Sequence, residues 1–73
     1  MAKVTFKYRI DTPDYYPATA YRQKTINLDL PKNESGFILF DTLAAALVDY
    51  IRDITKTDTK VKNTALLWCR VNQ

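Results

Sequence analysis

Apolar and polar residues alternate without a break from Lys3 to Ile10. Val4, Phe6, Tyr8 and Ile10 fall on one side, and Lys3, Thr5, Lys7 and Arg9 on the other. A period of two over this length is the signature of a half-buried strand. The pattern stops at Asp11-Thr12-Pro13-Asp14-Tyr15-Tyr16-Pro17, where prolines and aspartates predict a stiff loop. It resumes over residues 21–30. There Ile26, Leu28 and Leu30 face one way, Thr25, Asn27 and Asp29 the other, and Pro31 ends the run.

From Gly36 the spacing changes to three and four residues. Phe37, Phe40, Ala44, Leu47, Val48, Ile51 and Ile54 form one stripe, which predicts an amphipathic helix over 36–54. Asn33 or Ser35 is placed to cap its start, and Ala44-Ala45-Ala46 are strong helix formers. Phe37-Ile38-Leu39-Phe40 also admits a short strand with Asp41 capping a later helix, but the unbroken stripe favours the helix. Thr55 to Asn63 reads as a solvated connector, and Ala65 to Val71 as the last strand.

The element order β-β-α-β predicts a small α+β fold, a single domain over 1–73. Its sheet is three-stranded and largely antiparallel, with one helix packed on one face. Consecutive strands joined by one loop pair antiparallel. The last strand then runs opposite to the first and fits beside it, in spatial order 2-1-3. The other arrangement is a right-handed crossover to the side of the second strand.

The last strand is apolar on both faces. Strict alternation puts Leu67, Cys69 and Val71 on one side and Leu66, Trp68 and Arg70 on the other. One helix covers one face, so the second apolar wall is expected to meet a partner. Chain length points the same way. A domain of this size buries only about 60% of the surface its unfolded chain exposes, and association is one route to added stability.

Composition narrows the chemistry. Cys69 is the only cysteine and there is no histidine, so a disulfide is excluded and a structural zinc site nearly so. Without histidine there is no Ser-His or Cys-His pair. Cys69 reads as a buried structural thiol, because Arg70, its neighbour along a strand, points to the opposite side. Asp11 and Asp14 read as turn residues, and Asp49, Arg52 and Asp53 as a solvated helix face. Gly36 is the only glycine, which excludes glycine-rich phosphate and dinucleotide loops. No enzyme activity, cofactor or metal is therefore expected.

The formal charge is +3. Lys3, Lys7 and Arg9 line the outer side of the first strand, Arg22 and Lys24 extend the second, and Lys60 and Lys62 lie in the connector. With Trp68 turned outward, such a sheet resembles the surfaces that hold single-stranded nucleic acid by phosphate contact and base stacking. Tyr15 and Tyr16 on the stiff loop are rigid, amphipathic candidates for contact with another protein.

In size, single domain and lack of catalytic equipment, the chain looks like the compact accessory proteins of phages and mobile elements, including inhibitors of host defence. That resemblance is one of type and rests on no motif. It implies occlusion or scaffolding rather than bond-making. The leading expectation is a small non-enzymatic protein-binding module, self-associating as a homodimer. Trp68 is its main anchor, with Leu66, Tyr15 and Tyr16 beside it. Nucleic-acid binding through the basic face is the alternative. The start Met1-Ala2-Lys3-Val4 runs straight into strand pattern, no stretch is long enough for a membrane span, and a lone free thiol suits a reducing compartment. A cytoplasmic protein is expected.

Overall fold

The structure, a computed structural model, describes residues 1–72; Gln73, counted in the expected domain, lies outside the described residues. Strand β1 spans Ala2–Asp11, β2 Thr19–Leu28 and β3 Asn63–Asn72, with helix α1 at Phe40–Thr55 between β2 and β3. The three strands form one antiparallel sheet in the order β2-β1-β3. This is the expected β-β-α-β fold, with the last strand beside the first.

One face of the sheet carries the core. Val4, Phe6 and Tyr8 of β1 meet Leu43, Leu47 and Ile51 of α1, and all six are buried. Ile10, Ile26, Leu28 and Leu30 pack around them, as the strand periodicity predicts. The Phe6 ring lies 5.9 Å from that of Tyr50, edge-on, and this contact fixes the rotation of the helix about its axis. The helix backbone runs nearest β3. The first half of β2 is therefore covered by no helix, and Tyr21 to Thr25 is exposed on both faces.

The helix begins later than its stripe predicts. Gly36 has φ of 85°, a left-handed conformation that ends any helical path through it. Asn33 is no helix cap: its Oδ1 accepts the N–H groups of Ser35 and Phe37 and shapes a turn ahead of the helix. Ser35 makes no cap either. Residues 37–39 are extended, Ile38 bridges Lys32, and α1 opens at Phe40 with no side chain capping its end. Phe37 therefore never joins the stripe and is 71% exposed. The true core stripe is Leu43, Leu47 and Ile51, four residues apart, so Leu43 replaces Phe37 and Phe40 as the N-terminal anchor.

Candidate binding face

The face of the sheet away from α1 is open. Cross-strand partners point to the same side of an antiparallel sheet, so the register defines this face row by row. Lys3 lies between Asn27 and Asn72, Thr5 between Thr25 and Arg70, Lys7 between Gln23 and Trp68, and Arg9 between Tyr21 and Ala65.

A bulge decides what this face contains. Lys7 pairs with Trp68 and Tyr8 with Leu66, so Leu67 is an extra residue with no partner on β1. One inserted residue shifts the alternation by one. Leu66 consequently packs against the core with Cys69 and Val71 and does not share a face with Trp68, contrary to strict alternation. The expected second apolar wall thus loses Leu66, while Trp68 and the bulged Leu67 remain 41% and 43% exposed.

The remainder of the open face is polar and cationic. Lys3, Lys7, Arg9 and Arg70 stand on its paired strand rows with one carboxylate, Asp11, while Asp29 follows β2 on the same side. Arg9 Nε lies 3.1 Å from Asp11 Oδ1, close enough for an ion pair, but its N–H does not point along that contact and makes no hydrogen bond. On the other layer, α1 carries Asp41, Asp49 and Asp53 against Arg52. With Arg22 and Lys24 of β2 also on that side, the helix layer is close to neutral, and the excess of cations is a property of the open face itself.

Two aromatic residues flank the central cations. Trp68 stands on β3 and Tyr21 on β2, with Lys7 and Arg9 between them on β1. Ideal strand spacings put the two aromatic positions about 12 Å apart. Lys7 Nζ sits 5.6 Å from the Tyr21 ring centroid, within cation–π range. Beneath them Thr5 is buried. Its Oγ1 is 2.8 Å from Thr25 Oγ1 and accepts a 2.7 Å hydrogen bond from Asn72 Nδ2. This polar tie spans all three strands and stiffens the floor of the face.

Four expected members of the basic surface lie off this face. Arg22 pairs with Tyr8 and Lys24 with Phe6, both core-facing, so these cations point to the helix side. Lys24 Nζ lies 5.8 Å from the Tyr50 ring centroid. Their even numbering, shared with Ile26 and Leu28, is the signal that places them there. Lys60 and Lys62 lie in the α1–β3 connector, off the sheet. Lys60 Nζ is 5.1 Å from the Tyr15 ring centroid, and Lys62 donates its backbone N–H to Asp11 O. Tyr15 is thereby tethered, while Tyr16 is fully exposed at the hairpin tip. Arg70 shares the face with Trp68 as strict alternation predicts, and Tyr21, not expected there, joins it by parity with Gln23 and Thr25.

Other features do not compete with this face. A shallow cavity of about 260 Å³ near the helix C-terminus includes Arg52, Lys56, Asp58 and Lys62 in its lining, and one of about 340 Å³ lies beside Met1, Leu30 and Lys32. Lys56 has its pKa raised by a hydrogen bond from its ammonium to Asp53 and by that carboxylate's charge, away from the open face. Among the described residues no group of three or more cysteine or acidic side chains is gathered to hold a metal. Among the described residues no helix is long and apolar enough to cross a membrane. Compared with family models, curated proteins and solved structures, the chain matches none.

Proposed function

We propose that the protein is a non-enzymatic binding module whose open sheet face holds single-stranded nucleic acid. The observation that carries this reading is the juxtaposition of Trp68 and Tyr21 across a row of cations on a face whose paired strand rows hold one carboxylate. Aromatic rings offer stacking platforms to unpaired bases, and lysine and arginine between them neutralise the phosphates that link those bases. Lys3, Lys7, Arg9 and Arg70 supply the charge, and the Thr5–Thr25–Asn72 tie holds the platform flat. Duplex is disfavoured because its bases are not free to stack. A cytoplasmic setting suits the free thiol of Cys69.

Anisotropy titrations with labelled single-stranded and duplex oligonucleotides, at low and moderate salt, test the reading. Single-strand binding that falls steeply with salt is expected. No binding at low salt removes it.

A protein partner is the second reading, in keeping with a phage-type accessory or inhibitor protein. What favours it is the exposure of Tyr16 and Tyr15 at the hairpin tip, rigid contacts of the kind enriched at protein interfaces. In this reading Trp68 and the tip form one occluding surface, while Leu66 acts from beneath as core support. Loss of partner capture by Tyr16→Ala, with nucleic-acid binding absent, would favour it over the first.

A further inference from the structure

We infer that the protein pairs with a second copy of itself along the β3 edge and the adjoining flank of α1, about a two-fold axis beside Leu67. The two open edges of the sheet are unlike. β2 carries Arg22 and Lys24, like charges that repel a second β2 and guard the edge. β3 carries one charged residue, Arg70, among Ala65, Leu66, Leu67, Trp68, Cys69 and Val71.

The helix adds a self-complementary charge pattern to that edge. Tyr50 faces β1 and β2, since its ring meets Phe6 and Lys24. At 100° per residue, Asp41, Ala44, Val48 and Arg52 lie on the opposite side of the helix, towards the β3 edge and beyond it. Asp41 and Arg52 enter no ion pair among the described residues. Two antiparallel copies of this flank related by a two-fold axis set residue i of one against residue j of the other at a nearly constant sum. Opposing Ala44 to Val48 automatically opposes Asp41 to Arg52. The symmetry makes each contact twice. The apolar pair sits at the centre, small enough at Ala44 for close approach, and an opposite-charge pair closes each end.

The sheet places its own centre at the same height. Thr55 and Asn63 line one cavity, so the end of the helix and the start of β3 are level. From that level, helix position 46 and strand position 67 both lie about 13 Å along the molecule, by the ideal rises of helix and strand. Leu67 therefore stands beside the axis that the helix pairs define. It is the bulged residue, unpaired with β1 and 43% exposed, and would meet its own symmetry mate. The bulge interrupts a continuous strand-to-strand ladder, so side chains rather than backbone bonds carry the contact. The open face stays free in the pair, and this inference does not depend on what that face binds.

Sedimentation or light scattering over a concentration series reads the result. The 8.5 kDa chain is expected to double in mass as concentration rises. Asp41→Arg and Arg52→Asp should each raise the dissociation constant by about tenfold, and the two together should restore it, since the end pairs are re-formed with sign exchanged. A monomer at every concentration up to about 1 mM, or a double variant no better than the singles, overturns the inference. A second measurement covers the case of a variant that folds poorly. Leu67→Cys in a Cys69→Ser background should oxidise to a disulfide-linked pair, whereas Gln23→Cys in that background should not. Equal oxidation of the two also overturns it.

Discussion

Replacing Trp68 by alanine separates stacking from charge on the open face. The side chain is 41% exposed, so about three fifths of it is hidden against the sheet. A buried aromatic side chain hides about 200 Å². Three fifths of that, less the share an alanine methyl retains, is about 90 Å², or about 2 kcal/mol at 25 cal/mol per Å². Melting should therefore fall by about 8–16 °C, and a domain holding 3–5 kcal/mol stays folded at 25 °C. Loss of one base–aromatic stack weakens single-strand binding by about 1–3 kcal/mol, or about 5- to 150-fold. The dependence of affinity on salt should not change, because the indole touches no phosphate. Lys7→Gln should do the opposite, lowering the salt slope by about 0.7 with a smaller loss of affinity. Trp68→Phe keeps a stacking ring and should recover most of the binding. The assay is anisotropy with a labelled oligothymidylate at several salt concentrations, beside a thermal melt of each variant. If folded Trp68→Ala binds as tightly as the parent, or if its salt slope falls with its affinity, the stacking argument fails.

Three further outcomes test the fold that positions this face. Leu47→Ala should destabilise the domain by about 3–5 kcal/mol and leave little native protein at 37 °C, since Leu47 is fully packed between helix and sheet; a thermal melt reads this. Thr5→Val should cost about 1–2 kcal/mol by leaving Asn72 Nδ2 and the Thr25 hydroxyl without their buried partner, measured by urea unfolding. Deletion of Leu67 should be tolerated, with melting within about 10 °C of the parent. Leu66 and Trp68 then become consecutive and keep their opposite faces, whereas a collapse of folding would show that the bulge is indispensable.

The fold was legible because period two and period three-to-four segments are long and cleanly separated. Val4, Phe6, Tyr8 and Ile10 alone announce which face of β1 is buried, and Ile26, Leu28 and Leu30 do the same for β2. What the pattern could not supply was phase at two points. A run of apolar residues from Phe37 mimics a helix, while the turn held by Asn33 and the positive φ of Gly36 delay the true start to Phe40. In β3, Leu66, Leu67 and Trp68 are all apolar, so no polar residue marks which of them is surplus. The binding face was read in part for the same reason. Lys3, Lys7 and Arg9 follow from β1's clean alternation, but Leu66 was assigned to the wrong side of the unseen bulge. Arg22 and Lys24 were assigned by charge where their parity with Ile26 was the better guide. A continuous second apolar wall would favour a protein partner over nucleic acid, and the shift at Leu67 removes Leu66 from that wall.

The bare first half of β2 has a consequence of its own. From Tyr21 to Thr25 no side chain is buried, and apart from the Thr25–Thr5 hydroxyl contact and the cation–π contacts of Tyr21 and Lys24 this stretch is held by backbone bonds to β1. Its amide protons should swap with deuterium through brief local fraying, long before those of Val4 or Phe6 do so. Tyr21 would ride on that motion. One aromatic station of the face is then a hinged leaf and the other, Trp68, a fixed one, so an arriving strand would settle on the indole first and draw the tyrosine down after it.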